Sequence, residues 1–283
     1  MFNSDLKERA IRLVKKAAKE YEAEFEKVKD KSTELFDLRT LSKEEIIIPV
    51  ENFISNLANS PKEFKKSIGT LEIEYNKFEN EIRYLEREAQ EIDFKAGGTA
   101  VAGVVTGVGA AAFLPTGAMA IATTFGVAST GTAISALSGA AATNAALAWL
   151  GGGALAAGGA GMAGGSALLA LAGPIGWGIG ISGLIGGGLL ASSKNKKIAE
   201  EANNQRYDIE KGIQKFKRAI IEIDETIKST NKHSKGIKDL LDILTKYAPK
   251  NYMEYNQREK ELLASLINHI QGFSNLINQK VTV

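Results

Sequence analysis

The sequence predicts an all-α protein: long heptad-patterned helices forming an elongated antiparallel coiled-coil bundle, with a central glycine- and alanine-rich apolar helical segment suited to a membrane. Three observations predict it. Every Asp, Glu, Lys and Arg lies at or before Lys95 or at or after Lys194, so residues 96–193 carry no charge. All but four of the 29 glycines fall in that interval, the exceptions being Gly69, Gly212, Gly236 and Gly272. On either side of it apolar residues recur at alternating steps of four and three, the spacing of a coiled-coil seam. The chain therefore divides into 1–95, 96–193 and 194–283.

Composition narrows the function classes. The flanks carry 18 basic and 21 acidic residues before the interval, and 17 basic and 12 acidic after it. That balance lacks the dense basic stripe of a nucleic-acid binder, so no nucleic-acid partner is expected. The chain has no cysteine, hence no disulfide framework and no thiolate metal site, in keeping with a reducing compartment. The opening MFNSDLKERAIRLVKKAAKEYEAEFEK has no apolar core of signal-peptide length. It reads as a cytoplasm-made N-terminus without a Sec signal.

Taken in order, the first forty residues carry an amphipathic stripe through Leu6, Ala10, Leu13, Ala17, Tyr21, Phe25 and Val28. Ser60, Pro61 and Glu63 then read as a capping box with proline at the first helical position. From there Phe64, Ile68, Leu71, Tyr75, Phe78, Ile82, Leu85, Ala89 and Ile92 form a seam, a rod of about 43 Å. After the interval the seam resumes through Ala202, Arg206, Ile209, Ile213, Phe216, Ile220, Ile223, Ile227, Thr230, Ser234, Ile237, Leu241 and Leu244, about 65 Å long. Its polar residues Thr230 and Ser234, close to Gly236, mark a weak point or bend. Beyond Pro249 a last stripe runs through Leu262, Leu266, Ile270, Phe273 and Ile277. The two heptad rods enter and leave the same apolar segment, so they are expected to pack on each other antiparallel. If both stay on one side of a membrane, the segment crosses it an even number of times or not at all.

Residues 96–193 are long enough for four spans of about 20 residues. The candidates are 97–114, 115–132, 143–160 and 168–190. Only the last is rich in Leu and Ile. The others consist mainly of Ala, Gly, Ser and Thr, which contribute little beside the roughly −0.3 to −0.6 kcal/mol of a central Leu, Ile or Phe. The pairs Gly103/Gly107, Gly161/Gly165, Gly176/Gly180 and Gly183/Gly187 are GxxxG spacings that bring helices into close contact, as in a glycine zipper. Trp149 and Trp177 are either interfacial anchors or packing residues. Lys194, Lys196 and Lys197 follow the last span directly and are assigned to anionic headgroups on the cytoplasmic side.

Little else carries chemistry. GIGISG at Gly178–Gly183 matches a dinucleotide fingerprint in letters, with Glu200 at the distance of the ribose acid, but it lies in an apolar glycine run without the flanking strands. No phosphate-binding GxxxxGK[ST] occurs. His233 and His269 each stand alone on a helical flank, and the acidic pairs Glu44/Glu45 and Glu200/Glu201 are what helix surfaces carry. No nucleophilic triad can be nominated. No enzyme, cofactor or metal is expected.

Two long helical flanks around a charge-free glycine- and alanine-rich segment resemble the α-helical pore-forming toxins. The layout is also similar to apolipoprotein L proteins and to the hydrophobic hairpin of pore-forming colicins. The run TNAALAWLGGGALAAGGAGMAGG, Thr143 to Gly165, resembles a glycine-rich stretch of bacterial proteins with coiled-coil flanks. The likeness covers the whole chain in layout and only this run in letters. It transfers no catalytic residue, and the apolar segment here is much longer than a toxin head or colicin hairpin. It implies a protein that oligomerises and inserts residues 96–193 into a bilayer to permeabilise it. The alternative is a membrane-anchored scaffold or tether that binds a protein partner through its coiled-coil seams. A soluble stored form of the membrane-associated protein fits the marginal spans.

Overall fold

The computed structural model describes residues 2–95, 120, 123–125 and 192–281. Within them the protein is all-helical, and no strand occurs among the described residues. Helix α1 spans Phe2–Ser42 and passes through a π-helical turn, Lys43–Ile47, into α2, Ile48–Ser55. Helix α3 spans Lys62–Lys95, α4 Ser192–Tyr247 and α5 Gln257–Ile277.

The seams bury as their spacing demands. Phe64, Ile68, Leu71, Tyr75 and Phe78 are buried on α3, as are Ala202, Ile209, Ile213, Phe216, Ile223, Ile227, Ile237, Leu241 and Leu244 on α4. On α1 the burial continues past the expected stripe through Val28, Ser32, Leu35, Arg39, Ser42 and Ile46, still in steps of four and three. The π turn follows from Pro49. Its ring clashes with the carbonyl four residues back and it has no N–H to donate there. One extra residue absorbs the misfit and buries Ile46 and Ile47 side by side. Leu6, counted in the first stripe, is instead 54% exposed.

Two helix starts differ from expectation. Helix α3 opens at Lys62, with the Pro61 carbonyl accepting from the Phe64 and Lys65 amides. The full capping box lies on α5, where Asn256 accepts from the Glu259 amide at 3.0 Å and Glu259 accepts from the Asn256 amide at 2.8 Å. Helix α4 is not interrupted at Thr230 and Ser234. It runs unbroken for 56 residues, with the Thr230 hydroxyl folded back onto the Thr226 carbonyl at 2.8 Å.

Pairwise contacts give the directions. Glu20 with Lys217, Lys31 with Asp224 and Glu45 with Lys238 advance together, so α1 and α4 run parallel. Phe36 on Phe78, Tyr75 reaching the Thr40 carbonyl and Phe53 on Phe64 run in opposite senses, so α3 descends against α1 and α2. Ser67 with Gln271 and Glu74 with Asn278 set α5 parallel to α3. The expectation that the two heptad rods pack directly on each other is corrected. Helix α4 lies chiefly on α1 and then on α5, and α3 packs on α5. Helix α5 lies between them, its apolar stripe facing both.

At the end away from the apolar interval the loops are stitched by Ala58 donating to the Lys250 carbonyl at 2.8 Å and Tyr252 donating to the Ala58 carbonyl at 2.9 Å. Asn59 takes the left-handed backbone there, a conformation asparagine tolerates. At the other end α4 enters level with the start of α1, as the pairing of Lys217 with Glu20 sets it. The core falls into two stretches along the axis. One joins α1 to the first half of α4. The other gathers the π turn, α2, α3, α5 and the second half of α4.

Three of the four flank glycines are seats for rings. Gly212 lies under Tyr21, and a Cβ there would stand 2.6 Å from the ring Cε2. Gly212→Ala is expected to destabilise the protein by about 1–3 kcal/mol, read by urea denaturation; a loss below about 0.5 kcal/mol would mean Tyr21 can retreat. The exposed ion pairs add little to stability, because water screens them.

Candidate functional site

The point where the apolar interval meets the bundle is the most unusual chemistry among the described residues. Ala120, Thr123 and Thr124 are helical and fully buried, and Phe125, which ends that turn, is buried as well. They belong to the second candidate span, 115–132. Ala120 joins the core of the four-helix half, while Phe125 packs with α1, the first half of α4 and Val281. The segment thus sits at the joint between the two stretches of core.

Its carbonyls face cations. The last carbonyls of a helix have no partner within the helix and take donors from elsewhere. Lys280 Nζ donates to the Thr123 carbonyl at 2.9 Å, the Arg39 guanidinium donates to it at 3.4 Å, and the Val281 amide donates to the Thr124 carbonyl at 2.9 Å. Arg39 also donates to the Leu276 carbonyl at 2.9 Å and the Gln279 carbonyl at 2.7 Å, capping α5. One side chain on α1 therefore holds the end of α5 and the buried turn of the apolar interval together. Glu81 on α3 completes the cluster, accepting from Lys280 at 2.8 Å.

The electrostatics are consistent with that role. Arg39 is 1% exposed, and burial pulls its guanidinium down to about 10, opposed by the charge of Glu81. It stays protonated at neutral pH. Burial likewise lowers Lys280 while Glu81 opposes the shift. A buried and a partly buried cation face one carboxylate, and the carbonyl end of α5 supplies further negative potential. Arg39 Nε and Thr124 Oγ1 are buried without hydrogen-bond partners.

A second constellation lies between α4 and α5. His233 on α4 presses its ring onto Gly272 of α5, and His269 on α5 presses onto Gly236 of α4. The ring centroids are 5.2 Å apart, edge to face, and both Nδ1 atoms are buried without a hydrogen-bond partner. This corrects the reading of two histidines that each stand alone on a helix. The signal was present as a repeat, HSKG at 233–236 and HIQG at 269–272. Histidine followed by glycine three positions on places ring and seat on one helix face, and two such helices laid antiparallel interlock.

The remaining expected site residues divide simply. Lys196 and Lys197 are exposed in the opening turns of α4, with Lys196 4.0 Å from Glu200. Gly103, Gly107, Trp149, Gly161, Gly165, Gly176, Trp177, Gly180, Gly183 and Gly187 lie outside the described residues, as do the side chains of Leu85 and Lys194. Among the described residues no helix is long and apolar enough to cross a membrane, and no group of three metal-ligating side chains converges. The chain matches no family model, no curated protein and no solved structure. Function is therefore argued from the geometry alone.

Arg39 was overlooked in the sequence because a charged residue is normally assigned to a helix surface. The steps from Val28 through Ser32 and Leu35 place it on the seam, and that was the available clue.

Proposed function

We propose that the protein is a membrane-active helical protein that stores its apolar interval against an elongated antiparallel coiled-coil bundle and, once released, oligomerises and inserts residues 96–193 into a bilayer to permeabilise it. The observation that supports this reading is the burial of Ala120 and Thr123–Phe125 under Arg39, Lys280 and Val281. A part of a candidate span is held by specific donors on the bundle, as a stored form requires. The span itself is only marginally apolar, so a handful of hydrogen bonds and a buried ring can compete with lipid. Exposed Lys196 and Lys197 lie where the interval rejoins the bundle, placed to meet anionic headgroups.

Dye release from vesicles containing phosphatidylserine tests it. Full-length protein is expected to leak these vesicles, and less so vesicles of phosphatidylcholine alone. Binding to vesicles without leakage at any composition would replace the pore with a membrane-anchored tether. Absence of binding would remove the membrane altogether.

A further inference from the structure

We infer that the interlocked pairs His233/Gly272 and His269/Gly236 form a proton-operated catch that holds α5 on α4, and that opening it loosens the hold on the apolar interval. The second half follows from chain continuity. Helix α5 runs directly through Gln279 into Lys280 and Val281, and these last two hold the Thr123 and Thr124 carbonyls. Whatever loosens the seating of α5 shifts the donors that close over the buried turn.

The geometry makes the catch sensitive to charge. Each imidazole is wedged against the backbone of the facing helix at a glycine, where no side chain can move aside. The two rings touch, so protonating both sets two cations about 5 Å apart in a partly buried contact. Among the described residues no carboxylate is bonded to either ring to absorb that charge. The charged group acting on His233 from its own helix is Lys232, and the one facing it from α5 is His269; both disfavour the imidazolium. On the other neighbouring elements three charged groups are engaged elsewhere, while Lys65 and Lys66 of α3 stand exposed beside Ser67, which meets Gln271. Arg39 of α1 is turned to the α5 carbonyls, Glu45 of the π turn pairs with Lys238, and Glu74 of α3 pairs with Lys77 and Asn278.

The direction with pH follows. Burial lowers His233 from its ordinary 6.5, with His269 and Lys232 acting in the same sense and the His269 backbone against it. The unfolded chain therefore binds this proton more readily than the folded one. Stability from the contact is complete above about pH 6.5 and is lost as the pH falls through the lower, folded value.

Hydrogen exchange of the full chain, corrected for the intrinsic effect of pH, tests the catch without any membrane. Between about pH 7.5 and about pH 5, amide protection over 257–281 is expected to fall about tenfold or more, while 10–28 on α1 and 209–227 on α4 keep theirs. His233→Gln with His269→Gln should abolish that fall. If the double variant does not fold, ring NMR of the native chain decides: the histidine titration and the loss of α5 protection must share a midpoint. Flat protection over α5, a uniform loss along the chain, a fall that persists in the folded variant, or separate midpoints would each overturn the inference. Because the readout is exchange, a failed catch is distinguishable from a failed pore, which vesicle leakage alone reports.

Discussion

Replacing Arg39 with Met is expected to destabilise the protein by about 3–5 kcal/mol while leaving the volume of the site nearly filled. The loss has three sources. The Gln279 carbonyl loses the guanidinium, the Leu276 carbonyl keeps only backbone amides as donors, the Thr123 carbonyl keeps Lys280 but not Arg39, and the cluster falls from two cations to one. Urea denaturation measures the first consequence. The second is functional: the apolar interval loses one of its holds, so R39M should leak phosphatidylserine vesicles faster than the unmodified chain at neutral pH. A change below about 1 kcal/mol would mean that water replaces the guanidinium at little cost, and that Arg39 is no clamp. A large loss of stability with unchanged leakage would confine Arg39 to folding and leave the proposed release without its hold.

Truncating Phe216 to Ala is expected to cost about 3–5 kcal/mol, the range for a fully enclosed aromatic side chain. Phe216 is 2% exposed and meets Tyr21 at 4.8 Å and Phe25 at 5.9 Å between centroids. It sits one turn from Gly212, the seat of Tyr21, so the ring it supports cannot retreat toward α4 to fill the cavity. Hydrogen exchange should show the loss over 10–28 and 209–227, with α5 protected as before. Equal loss in α5 would show that the two stretches of core unfold as one unit.

The two substitutions probe opposite sides of one joint. Phe216 holds the α1–α4 stretch together, whereas Arg39 ties the four-helix stretch to the turn that ends in Phe125. Under the proposed function, the first contact bears on the stability of the bundle and the second on the hold over Thr123.

Much of this was readable from spacing alone. Ile209, Phe216, Ile223, Leu241, Phe64, Leu71 and Phe78 were placed inward by their steps of four and three, and each is buried. A helix repeats every 3.6 residues whatever surrounds it, so the inward face is a local property. The absence of charge from residues 96–193 marked the apolar interval in the same direct way. Partner choice was not local. A seam specifies an apolar neighbour without saying which, so α5 could take the place between α3 and α4 that each rod was expected to fill for the other. Arg39 and the histidine pair left traces in the spacing, but what they meet became legible only in three dimensions, for a common reason. A guanidinium is tolerated in a core when carbonyls from two distant segments converge on it, and a glycine becomes a seat when a ring from another helix arrives. Periodicity along the chain settled which residues turn inward, and long-range packing settled what each of them meets there.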